Sequence, residues 1–109
     1  MTDVLAERCA ELADVALDLL RAVMECQGAP QKLPEVLIQI DRMRPIIDEG
    51  TAEISRPEYL RWQSTAPATL DEMEAAVGRG DFRGVWTAFT HPVKGMDGLG
   101  QGCSGYPRW

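Results

Sequence analysis

The chain has few side chains of the types that do chemistry, and most of them stand alone. His91 is the only histidine among 109 residues, so any mechanism that needs two is excluded. As a single imidazole it could ligate a haem or act as a base. Cys9, Cys26 and Cys103 are an odd number with no close pair, which predicts reduced thiols rather than a disulfide framework. Cys9 and Cys26 fall on the apolar seam of a predicted helix, where free cysteine behaves as a small apolar residue. Cys103 lies among glycines and near Arg108, so it is expected to be the exposed and reactive thiol.

The methionines beyond the initiator, Met24, Met43, Met73 and Met96, fall one to each main predicted helix. If the helices alternate in direction, Met43, Met73 and Met96 gather toward one end, with Cys9 at that same end. A thiolate with thioethers is a soft set that suits Cu(I). Methionine also serves as a flexible filler of cores, and one per helix is ordinary usage. Phe82, Trp86 and Phe89 form a helical stripe that could line a ligand or haem pocket, with Tyr59 and Trp62 closing its mouth. Aromatics at that spacing also simply pack a core.

No catalytic residue is assigned. The acidic pairs Asp48/Glu49 and Asp71/Glu72 sit where they complement helix ends. The glycine-rich "GLGQG" follows a helix and lacks the Lys-Ser/Thr of a phosphate loop.

The elements that must position these residues are helices. Leu5, Cys9, Leu12, Ala16, Leu19, Val23 and Cys26 alternate spacings of four and three, the seam of a first helix capped by Thr2 and stopped at Gly28 and Pro30. Leu17, Leu20 and Met24 widen its apolar arc on one side, and Val4 and Val15 on the other, so this helix needs more than one neighbour. Val36, Ile40, Met43 and Ile47 predict a second helix over Pro34 to Asp48, bent or ended early at Pro45. Ser55 to Glu58 has the capping-box pattern and opens a short connector helix, "EYLRWQ". A third helix restarts after Ser64, Thr65 and Pro67 and carries Leu70, Met73 and Val77. Asp81 caps a fourth, in which Phe82, Trp86, Phe89, Val93 and Met96 continue the spacing through His91-Pro92, predicting one kinked helix. On that helix His91 points away from the stripe, unless Pro92 rotates it inward.

These elements describe an all-α, up-down four-helix bundle over residues 1–99, with a short connector helix between the second and third helices and an irregular Gly-rich tail over 100–109. Half of the ten glycines lie between Gly95 and Gly105, each costing about 1 kcal/mol in a helix relative to alanine. Tyr106 and Trp109 are large amphipathic anchors, so the tail is expected to leave the last helix as an irregular strand and fold back onto the bundle or a second subunit.

A net charge of −6 and a pI near 4.7 lack the footprint of a nucleic-acid binder and suit an anionic membrane surface no better. The opening "MTDVLAERCAELADVALDLL" carries acids where a signal peptide carries bases, and the reading is a cytoplasmic protein.

The helix order, with "LRAVM" late in the first helix and "GRGDFRGVWTAF" opening the fourth, resembles the cytochrome c-prime and cytochrome b562 type of bundle. That resemblance implies a haem-binding or small-ligand-binding bundle. The Cys-x-x-Cys-His attachment of that family is missing, since Cys103 is followed by "SGYPRW", so no haem ligand carries over and no cofactor is expected. The leading reading is a small cytoplasmic helical-bundle binding or interaction protein without catalysis of its own, a homodimer or the partner of another helical protein. The alternatives are the haem-binding or ligand-binding bundle, and a folded leader carrying a C-terminal segment modified at Cys103.

Overall fold

A computed structural model describes residues 3–109, and Thr2, the expected first cap, lies outside them. Five α-helices follow one another: α1 (Val4–Glu25), α2 (Leu33–Ile47), α3 (Pro57–Gly78), α4 (Phe82–Phe89) and α5 (Met96–Gly102). Two single 3-10 turns link α1 to α2, and no strand occurs among the described residues.

Helix α1 starts where Asp3 Oδ1 accepts from the Ala6 amide at 3.1 Å, satisfying one of the free donors of the first turn. Its predicted seam is buried from Leu5 to Cys26. Helix α2 buries Val36, Ile40, Met43 and Ile47, and Pro45 lies within it without ending it.

Three expectations about local structure are corrected. The connector is no separate element: "EYLRWQ" forms the first turns of α3, which runs unbroken for 22 residues through Pro67. An internal proline costs roughly 3 kcal/mol, and burial of Trp62, Ala66, Leu70 and Met73 along the same helix offsets it. Nor does Ser55 form a capping box. Arg56 is the N-cap, without a side-chain cap bond, and its guanidinium instead donates to the carbonyls of Gly102 (3.2 Å) and Ser104 (2.7 Å).

The fourth helix does not continue through His91-Pro92. Helix α4 ends at Phe89, and the His91 Nδ1 accepts from the amides of Val93 (3.2 Å) and Lys94 (3.0 Å), a side-chain turn that competes with the helix. Asp81 caps α4 as expected, with Oδ1 accepting from the Gly84 amide at 2.9 Å. That bond holds the Asp81 carboxyl below its ordinary range.

The glycine-rich end is not an irregular strand. Gly98 and Gly100 lie inside α5, and at Gly98 and at the helix's last residue, Gly102, the missing Cβ permits close packing. A Cβ at Gly102 would stand 2.8 Å from the Tyr59 Cα, and one at Gly98 would stand 1.9 Å from the Val93 carbonyl oxygen. Helix α5 therefore lies directly on the backbone of α3.

Helix α1 packs on α2, α2 on α3, and α3 carries both α4 and α5. Arg8 of α1 donates to the Gly50 carbonyl just beyond the end of α2, while Asp18 meets Arg42, so α1 and α2 are antiparallel. Gln63 of α3 reaches the Ile47 carbonyl and Asp71 meets Arg44, so α2 and α3 are antiparallel too. The body measures 46 × 22 × 21 Å. Among the described residues no helix is long and apolar enough to cross a membrane.

Candidate functional site

The thiol chemistry expected of the chain is overturned. Cys103 is fully buried and bonded to Cys9, 94 residues away, with a Cα–Cα distance of 5.7 Å. Cys103 is thus neither exposed nor a reactive thiol, and Cys9 offers no thiolate to a metal. The reason is the fold of the tail: once α5 lies on α3, its C-terminal residue faces α1. Cys26 is the free cysteine. It is buried, and its Sγ donates to the Ala22 carbonyl at 3.0 Å. Burial, with Glu35 and Glu25 adding to it, pushes that thiol's pKa up.

The tail beyond Cys103 is docked, as its aromatic anchors suggested. The Tyr106 hydroxyl donates to Asp3 Oδ2 at 3.0 Å, and the Trp109 indole Nε1 donates to the Cys9 carbonyl at 2.8 Å. Arg108 pairs with Asp14 at 2.7 Å, and Arg56 stacks over the Tyr106 ring at 5.1 Å. Burial, with Asp3 next in effect, raises the Tyr106 phenol pKa.

Beside this latch lies a polar cluster that sequence reasoning missed, buried at Arg8, Tyr59 and Gln63 and exposed at Glu11 and Glu49. Arg8 is 5% exposed, donates to the Gly50 carbonyl and lies 3.8 Å from Glu49. Burial raises the Glu11 carboxyl pKa, and a hydrogen bond with Glu49 raises it further. Tyr59 is fully buried, which lifts its phenol pKa, and Arg8 stands near the phenol oxygen without hydrogen-bonding geometry. Tyr59 and Gln63 are one turn apart on α3, and neither the phenol oxygen nor Gln63 Oε1 has a hydrogen-bond partner among the described residues. The available signal was helical spacing, since Arg8 lies three residues after Leu5 and four before Leu12, on the apolar side of α1.

The methionines do converge. Met43 of α2, Met73 of α3 and Met96 of α5 line one small apolar cavity of about 30 Å³, together with Trp62, Phe89 and Leu19. Met24 stands apart, exposed on α1. Of the aromatic candidates, Tyr59 and Trp62 are buried in the core rather than closing a mouth, and their rings meet at 5.7 Å. Phe89 reaches the cavity, whereas Trp86 turns outward and is 41% exposed. Phe82 is half-buried and stacks on Trp86 at 6.3 Å.

The cavity that the methionines line does not fit a haem. A volume of about 30 Å³ admits a few light atoms, and a porphyrin would force the helices apart. His91 has its Nδ1 committed to two backbone amides, away from Met43 and Met73.

One apolar surface remains. Leu17 (40% exposed) and Met24 (56%) are two turns apart on α1, with half-buried Leu20 between them. Helix α4 turns back sharply on α3, which itself runs parallel to α1, so α4 is antiparallel to α1. Leu19 and Phe89 meet at the cavity. The tail covers only the N-terminal half of this side of α1, through Asp3, Cys9 and Asp14. No family model, no curated protein and no solved structure matches this chain.

Proposed function

We propose that this chain is a small non-catalytic interaction protein that self-associates through the apolar face of Leu17, Leu20, Met24 and Trp86. In this reading α4 and α5, set end to end, serve as the fourth column of an up-down bundle whose C-terminal half of α1 is completed by a second copy. The observation that carries it is the uncovered pair Leu17 and Met24 on α1, with Trp86 of α4 also exposed. Each is a large apolar side chain left in water, and burying one is worth about 1.5–3 kcal/mol. A two-fold pairing of one face with itself is the simplest way to cover them. The acidic net charge supports a protein partner over nucleic acid or an anionic membrane. The Cys9–Cys103 bond supports an oxidising compartment over the cytoplasm that the thiol count suggested.

Light scattering over a concentration series tests the reading. A dimer is expected at high micromolar concentration, and Met24→Glu or Trp86→Glu, both at exposed positions, is expected to return a monomer with unchanged helicity. A wild-type monomer throughout, or a dimer indifferent to both substitutions, overturns it.

A further inference from the structure

We propose that the cavity between α2, α3 and α5 is a thioether site for a soft monovalent cation, Cu(I), with Ag(I) as its redox-inert analogue. Its lining includes Met43, Met73 and Met96, contributed by three different helices, so three of the four methionines of the described residues border one cavity. Thioether sulfur is a soft, neutral ligand that selects Cu(I) over the harder divalent ions. The remaining wall is chemically consistent with that choice. Trp62 and Phe89 present aromatic rings, whose faces attract cations. The Thr69 hydroxyl, which donates to the Thr65 carbonyl at 3.0 Å, is a neutral oxygen, and no carboxylate lines the cavity to favour a hard ion.

The volume of about 30 Å³ suits a single ion. Lys94 also lines the rim but is exposed, and its flexible stem lets the ammonium stand in water. Half-buried Met96, at the first position of α5, is the ligand nearest solvent and marks the way in. No covalent or redox step is involved: the ion enters as Cu(I) or Ag(I) and stays so. Neither cysteine of the disulfide takes part, which separates this site from a thiolate site.

The site is independent of the self-association reading, and its test leaves that reading untouched. Protein labelled with ¹³C at the methionine methyls is titrated with Ag(I), the disulfide being kept intact. The methyl signals of Met43, Met73 and Met96 are expected to shift together and saturate at one equivalent, while that of Met24 stays in place. Competition for Cu(I) against bicinchoninate, with ascorbate to hold the copper reduced, is expected to show one ion per chain. Met43→Leu and Met73→Leu conserve volume and core packing, and each is expected to weaken binding at least tenfold, whereas Cys26→Ser leaves it unchanged. No shift of the three methyls, a response confined to Met24, or loss of binding in Cys26→Ser would each overturn the proposal.

Discussion

Replacing both members of the Cys9–Cys103 pair by alanine removes the longest-range tie in the chain, and its cost can be worked from loop size. The bond closes a loop spanning 94 residues, so in the chain-entropy account it lowers the free energy of folding by about 4.7 kcal/mol through the unfolded state alone. Total stabilities of such domains are roughly 5–15 kcal/mol, so the bond carries a third or more of what holds the protein folded. With an unfolding entropy of about 2.1 cal/mol/K per residue, the melting temperature is expected to fall by roughly 20 °C.

The native state should survive the change, because Tyr106, Trp109, Arg108 and Arg56 anchor the tail independently of the sulfur atoms. Urea unfolding of the oxidised protein and of Cys9→Ala/Cys103→Ala separates the two sides of the argument. Without the bond the unfolded chain exposes more surface, so the denaturant slope should rise while the midpoint falls. A loss below about 1 kcal/mol, or a lower midpoint at unchanged slope, would refute the entropic reasoning and assign the bond's effect to native contacts.

The glycines of α5 separate packing from propensity. Gly98→Ala and Gly102→Ala meet backbone and are expected to cost about 1–3 kcal/mol by thermal or urea unfolding. Gly100→Ala meets nothing and is expected to stabilise by about 0.5–1 kcal/mol. At Glu11 the folded pKa is raised, so the folded state holds its proton more tightly than the unfolded chain, and stability falls as pH rises through the window above the ordinary carboxylate value. Glu11→Gln should therefore stabilise the protein at neutral pH and lose that advantage in acid, as followed by melting temperature against pH. Asp81, with its pKa lowered by the Gly84 amide, has the opposite sign: its contribution is present above the unfolded value and lost as pH falls through the folded one. Asp81→Ala should flatten that acid limb. Haem titration should give no saturable Soret band, and a stoichiometric low-spin spectrum abolished by His91→Ala would contradict the cavity's size.

The parts of the fold readable in the sequence are those where local pattern and tertiary demand agree. The four-three seam of α1, the core positions of α2 and the Asp81 cap are each decided by neighbours a few residues away. Proline was misread in both directions. Pro67 has the local form of a helix start, yet the helix runs through it because the burial along α3 outweighs one lost backbone bond. Pro92 sits in a continuing apolar spacing, yet the helix stops because the His91 ring captures two amides that the helix would have used. Periodicity carries information about which residues share a face, and neither of these contests shows in it.

The cavity and the latch divide in the same way. The expectation that Met43, Met73 and Met96 share one end rests on alternating helix direction and a continuous fourth helix; in the structure all three line one cavity midway along α3, with Met96 contributed by the separate α5. Removal of Cys9 from that set could not be read, since nothing local pairs residues 94 apart. The signal was nonetheless present, in the glycines. Treated as helix breakers they made the tail a loose strand and Cys103 an exposed thiol. Treated as residues without a Cβ, they permit a close approach. Gly102 lets α5 settle against the Tyr59 backbone, and that approach is what carries its neighbour Cys103 across to Cys9. Gly102 and the disulfide are therefore linked: a side chain at Gly102 would meet the Tyr59 backbone and lift the end of α5, with Cys103 next to it, off α3.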